Sequence, residues 1–91
     1  MTISIDSRLI GKEHPPYIIA EAAISHQGDF NTAKEMVIKA RAAGCDAIKF
    51  QMHILNNEML KNVKTSKNFD KPLFQTLKET ELSLSNHIEL M

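Results

Sequence analysis

Tryptophan is absent from this 91-residue sequence, cysteine occurs once, and glycine and proline occur three times each. One cysteine cannot close an internal disulfide, so packing alone must hold the fold. Cys45 itself reads as a small buried thiol beside a helix end, not as a nucleophile. So little glycine and proline excludes a collagen-like chain and argues against wholesale disorder. A surplus of either charge is missing too, because eleven basic side chains balance eleven acidic ones. Without a basic stripe to neutralise phosphates, no nucleic-acid partner is expected. No run approaches the roughly 20 apolar residues of a membrane span, so no membrane partner is expected either. Residues 1–6 lack the basic and apolar regions of a secretion signal. What remains is a reduced, soluble, cytoplasmic protein large enough for one small domain.

What is present is organised around residues 17–29, an apolar run that carries Glu21 and then breaks into a polar turn with Gly28 and Asp29. That order reads as a buried strand emptying into a loop before a helix. A second segment of the same kind, residues 47–53, follows one helix later and carries Lys49 and Gln51. In the first strand Ile19, Glu21 and Ala23 share one face by alternation. In the second, Ala47, Lys49, Gln51 and His53 share a face opposite Ile48, Phe50 and Met52. The apolar set is expected to pack on helices and the polar set to look toward a ligand. A strand–helix–strand crossover is parallel and right-handed in nearly all cases. Glu21 and Lys49 should therefore stand on neighbouring strands near one carboxyl edge, where α/β enzymes place their chemistry. A structural ion pair between the two is the competing reading.

The helix between the strands has a readable start and stop. Thr32 with Glu35 fits a capping box, with Asn31 or Asp29 as alternative caps. Ala33, Met36, Val37, Ala40 and Ala43 make one apolar stripe, while Lys34, Lys39 and Arg41 lie off it. Gly44 stands where a left-handed residue would end the helix. Before the first strand, residues 1–16 suggest a short hairpin or edge strand, followed by a loop from Gly11 through Pro15 and Pro16, with His14 solvated. Residues 54–71 are rich in asparagine and lysine and lack a regular period. A helix is expected over 72–80 with Pro72 in its first turn, and a last one over 86–91 capped by Ser83 or Ser85. His26 and His53 are read as loop or supporting residues and His87 as exposed, since two loop histidines make no ligand set.

Two parallel strands and about three helices do not close a core. The sequence is thus expected to be an amino-terminal piece, residues 1–91, of a larger enzyme, or a product that needs a partner. Its motifs resemble those of the sialic acid synthase family, in which a strand reading A-E-I-G-x-N-H-x-G-D precedes a helix with A-K and A-G, then K-F-Q or K-H-Q. The matching residues are Ala20-Glu21, His26, Gly28-Asp29, Ala33-Lys34, Ala43-Gly44 and Lys49-Phe50-Gln51. The stretch 69–77, with Glu81-Leu82-Ser83 and His87, follows the family's later run. Departures stand beside Glu21: Ala22-Ala23 replaces Ile-Gly, Ser25 replaces asparagine, and Gln27 is atypical. The added methyl groups are expected to narrow the site or shift its substrate.

The resemblance implies an α/β fold, the first two βα units of a (β/α)8 barrel. It implies condensation of phosphoenolpyruvate with N-acetylmannosamine or a related N-acetylated amino sugar. A divalent metal, manganese or magnesium, would polarise the sugar aldehyde, on ligands from strands outside this chain. Family members are homodimers with a further antifreeze-like domain. By carry-over Glu21 is the catalytic residue; Lys49, Gln51 and Asn68 bind substrate. The competing readings are another phosphoenolpyruvate-condensing barrel and a non-catalytic remnant or binding module. The 91 residues alone are expected to be inactive.

Overall fold

A computed structural model describes residues 1–55 and 73–91 of the chain. Two elements, β1 (Thr2–Ile5) and β2 (Arg8–Gly11), form an antiparallel hairpin with Ile3 opposite Ile10. Its tip is a two-residue turn in which Asp6 and Ser7 both take positive φ, 49° and 70°. That backbone matches the twist of the flanking strands. The loop after the hairpin holds His14 half-buried, its N–H donating to the Gly11 carbonyl at 3.0 Å.

The functional half is β3 (Ile19–Ala23), α1 (Phe30–Ala42) and β4 (Ala47–Phe50). Strands β3 and β4 pair in parallel, Ile19 with Ala47, Ala20 with Ile48 and Glu21 with Lys49. The parallel pairing expected from the sequence is the one observed. Asp29, not Thr32, caps α1: its carboxylate accepts from Asn31 N–H at 2.9 Å and Thr32 N–H at 3.4 Å. A carboxylate at that end also meets the positive pole of the helix, which a Thr32 hydroxyl does not. The far end closes as a Schellman motif, with Gly44 N–H on the Arg41 carbonyl and Cys45 N–H on the Ala40 carbonyl. Gly44 supplies the required positive φ of 91°. Ala33 is fully buried, Met36, Val37 and Ala40 are half-buried, and Ala43, at the cap, is exposed.

Asp46 fixes where the two strands meet. Its carboxylate accepts from Ile18 N–H at 2.8 Å, and its own N–H donates to the Ile18 carbonyl at 2.8 Å. The same carboxylate pairs with Arg8 of the hairpin, whose other nitrogen reaches the Pro16 carbonyl at 3.3 Å. Beyond the strands lie α2 (Leu73–Glu79) and α3 (Leu84–Leu90). Ser83 is the cap of α3, accepting from Asn86 N–H at 3.1 Å. Pro72 lies outside the described residues, as does most of the irregular stretch expected over 54–71.

A small core joins these elements: Leu55, Phe74 and Leu77, with Ile24 and Leu73 against them. The face of β4 opposite Lys49 is only partly covered. Ile48 and Phe50 are half-buried and Met52 is exposed, and with Leu84, His87, Ile88 and Leu90 they line a cavity of about 340 Å³. His87 is thus half-buried, not exposed as its sequence position suggested, because its face of α3 lines that cavity. Ile18 and Ile19 remain 52% and 55% exposed. Much apolar sheet surface is open.

Strand β3 breaks its alternation after Glu21. The register jumps so that Ala23, not Ala22, faces Phe50, and Ala23 takes φ of 50°. Ala23 therefore leaves the face it was expected to share with Glu21. A left-handed alanine costs about 1–2 kcal/mol, since its Cβ crowds the following carbonyl. This is the position where the resembling family carries glycine.

Three substitutions test this backbone. Asp46→Ala strips Ile18 N–H of its side-chain acceptor and Arg8 of its partner, and should cost about 1–2 kcal/mol in urea denaturation. Arg8→Ala should cost less than about 1 kcal/mol, because the guanidinium is substantially exposed. Ala23→Gly should stabilise: relief of about 1–2 kcal/mol exceeds the added unfolded-chain entropy of about 0.5–1 kcal/mol. A lower denaturation midpoint for that variant would show that the left-handed turn carries no strain.

Candidate functional site

Glu21 and Lys49 are register partners, the third residues of their strands, and their side chains lie on the same face. Lys49 Nζ is 3.6 Å from Glu21 Oε2, and the two side chains are 66% and 50% exposed. The other carboxylate oxygen, Oε1, accepts from Ala23 N–H at 3.0 Å. That bond forms where the strand register breaks between Glu21 and Ala23. The carboxylate is thus aimed by the break in the strand and only attracted by the ammonium. At 3.6 Å the ammonium is outside good hydrogen-bond range, so its N–H groups remain open toward an anion.

Gln51 follows β4 directly. Its backbone N–H donates to the Ala23 carbonyl at 3.2 Å, which carries the pairing one residue past the strand and leaves the side chain exposed. Glu21, Lys49 and Gln51 thus gather at the carboxyl ends of β3 and β4, with Ala23 between them in the backbone network. Asn68, the fourth candidate, lies outside the described residues. Among the described residues no three histidine, cysteine or acidic side chains converge as a metal would require. Cys45 is a half-buried free thiol at the end of α1.

Two features of the site were missed in the sequence. The first is the left-handed Ala23, for which glycine at the same place in the resembling motif was the available signal. The second is the depth of His26, which lies in the turn between β3 and α1, as expected of a loop or supporting residue, but is buried at 2% exposure. Its Nδ1 accepts from Gly28 N–H at 2.9 Å, and its ring centroid is 5.9 Å from that of Phe50. Burial pulls its pKa below the usual histidine value, and the nearby His87 lowers it further. The spacing His-x-Gly is the signal for this local bond, since a side-chain acceptor two residues before a left-handed glycine meets its N–H. His53 is half-buried and lines a second cavity, of about 260 Å³, with Leu55, Phe74, Lys78 and Glu81.

Comparison with known proteins gives one consistent answer. The profile of the NeuB family matches residues 36–91. Human N-acetylneuraminate-9-phosphate synthase is 42% identical over 64 residues, 66% of this chain and 18% of that protein. The N,N'-diacetyllegionaminic acid synthase of Legionella pneumophila is 38% identical over 77 residues, 78% of this chain and 22% of that protein. A solved N-acetylneuraminic acid (sialic acid) synthetase from Leptospira borgpetersenii, in complex with citrate, superposes with a TM-score of 0.79 at 30% identity. That match covers 99% of this chain and 29% of the other. The chain therefore spans about a fifth of the length of these curated relatives. With the family profile covering more than half of its residues, the chain belongs to the NeuB family, the sialic acid synthases.

Proposed function

We propose that this chain supplies the first two βα units of a (β/α)8 barrel that condenses phosphoenolpyruvate with N-acetylmannosamine or a related N-acetylated amino sugar. The product is a nonulosonic acid of the sialic or legionaminic type. One observation carries the reading: a carboxylate and an ammonium, brought into register at the carboxyl ends of two parallel strands, both open to solvent. So exposed a pair adds about 0–1 kcal/mol to the fold, so stability does not account for it. An anion-binding edge does.

Lys49 is the cation for the phosphate or carboxylate of phosphoenolpyruvate, held as a point charge with several free N–H donors. Glu21 orients the reacting groups or handles a proton near C2 of the enol. Its Oε1 is pinned by Ala23 N–H, which leaves Oε2 for that role. Gln51, one step beyond the strand, offers an amide to the sugar acceptor, and Asn68 adds a further polar contact. A divalent ion, manganese or magnesium, belongs to the complete enzyme on ligands outside this chain, where it supplies Lewis-acid polarisation of the sugar aldehyde. The complete enzyme is a cytoplasmic homodimer.

The test is steady-state kinetics in the whole enzyme. Lys49→Ala should raise KM for phosphoenolpyruvate about ten- to a hundredfold, the loss of one charge-assisted contact, with the circular dichroism spectrum unchanged. Glu21→Gln should instead lower kcat by about a hundredfold or more with little change in KM. An unchanged KM in the lysine variant removes Lys49 from the site. The 91-residue chain by itself should release no phosphate from phosphoenolpyruvate in the presence of the amino sugar and metal, and detectable release would overturn the assignment of the metal ligands to other strands.

A further inference from the structure

We infer that His26 is a positioning residue whose neutral imidazole locks the β3–α1 turn and, through Phe50, backs the strand segment that carries Lys49 and Gln51. The inference rests on the reading of that segment as the anion-binding edge and names what holds it in place.

Three elements meet at this side chain. Within its own turn, Nδ1 accepts Gly28 N–H at 2.9 Å, while His26 C=O accepts Asp29 N–H at 3.0 Å just ahead of α1. Toward β4, the ring lies against Phe50, the residue between Lys49 and Gln51, tilted at 42°. Toward α2, the glycine it holds sits against backbone. A Cβ at Gly28 would lie 3.0 Å from the Glu79 carbonyl and 3.4 Å from Thr80, and Gly28 has φ of 82°. Gln27 beside it is also left-handed, at 52°. A left-handed glutamine costs about 1–2 kcal/mol, and the imidazole bond closes over it.

An Nδ1 that accepts carries no proton, so the single ring proton sits on Nε2. Nε2 has no hydrogen-bond partner among the described residues. Protonation would therefore remove the lone pair that Gly28 uses and bury a charge without a compensating acceptor. The charged or titratable groups around it are His87 from α3, Asp29 in its own turn, which is engaged in capping α1, and Glu79 at the end of α2, whose carboxylate accepts from Gln75. His87 opposes a second positive charge. Because burial lowers the folded value, the unfolded chain binds more protons near pH 6. The stability supplied by this lock is full above pH 6.5 and is lost as pH falls through the lowered folded value.

Nitrogen-15 NMR of the unmodified protein tests the lock directly. His26 should be neutral with its proton on Nε2, should titrate below 6.5, and the Gly28 amide resonance should move with it. A proton on Nδ1, or a Gly28 amide indifferent to that titration, overturns the inference. In the whole enzyme, His26→Leu keeps the bulk but not the acceptor, and should lower kcat/KM for phosphoenolpyruvate about tenfold. His26→Asn restores an acceptor for the N–H two residues on. It should recover most of that loss and remove the acidic limb of the pH profile. Leucine and asparagine variants impaired alike, or a leucine variant equal to the parent, would also overturn it. If the parent enzyme shows no condensation at all, the enzymatic reading fails, while the NMR result still decides the role of His26 in the turn.

Discussion

The register between β3 and β4 is the constraint on which the geometry of the candidate site depends, and Asp46 sets it. One carboxylate takes Ile18 N–H while the same residue's N–H reaches the Ile18 carbonyl, so the first rung of the parallel ladder is closed from both directions. Every later rung follows by counting. Two residues on, Ala20 meets Ile48; one more, and Glu21 meets Lys49. A slip of one residue would send Lys49 to the opposite face, because side chains alternate. The Arg8 contact adds that the amino-terminal hairpin is tied to this same origin. Orientation of the hairpin and register of the sheet are therefore fixed by a single side chain at the entrance of β4.

From that origin the strands run in step only until the chemistry begins. At Glu21 the alternation stops, Ala22 is skipped in the register, and Ala23 turns left-handed. The break gives Glu21 a backbone donor and gives Gln51 a backbone acceptor, both from the one residue Ala23. A regular strand would still offer Gln51 a carbonyl, that of Ala22, but its N–H groups face the neighbouring strand and not a side chain two residues back. Local strain thus converts a ladder position into a device that aims a carboxylate. The turn then needs a second anchor, because Gln27 and Gly28 are also left-handed. Buried His26 and the close backbone of Glu79 and Thr80 supply it.

How much of this was legible in the residues depends on range. The parallel crossover, the apolar stripe of α1, its glycine stop and the Ser83 cap were legible, because each is decided by neighbours within one or two turns of chain. The meeting of Glu21 with Lys49 was legible too, since a right-handed crossover leaves few alternatives. The choice of Asp29 over Thr32 as cap was not, as both satisfy the local rule and the entry path of the chain from β3 decides between them. The hairpin tip was hidden because Asp6-Ser7 lacks the glycine that usually marks such a turn. Burial of His26 and His87 was out of reach. Phe50 and α3, which surround them, come from residues more than twenty positions away from His26.

The open pair also bears on how the site would work once covered. In bulk water two unit charges near 4 Å attract by only about 1 kcal/mol, and at the lower effective dielectric near a protein surface by about 4 kcal/mol. Ile19 of β3 and Ile18 just before it still face solvent. Apolar surface of that extent is driven to be covered, at about 25 cal/mol per Å². Whatever covers the Ile19 side also lowers the dielectric around Glu21 and Lys49, which share that face. The ammonium then gains most from an anion that contacts it directly, while the carboxylate, already held by Ala23 N–H, keeps its place. On the proposed reading, covering that sheet surface and strengthening the anion-binding edge are thus one physical event.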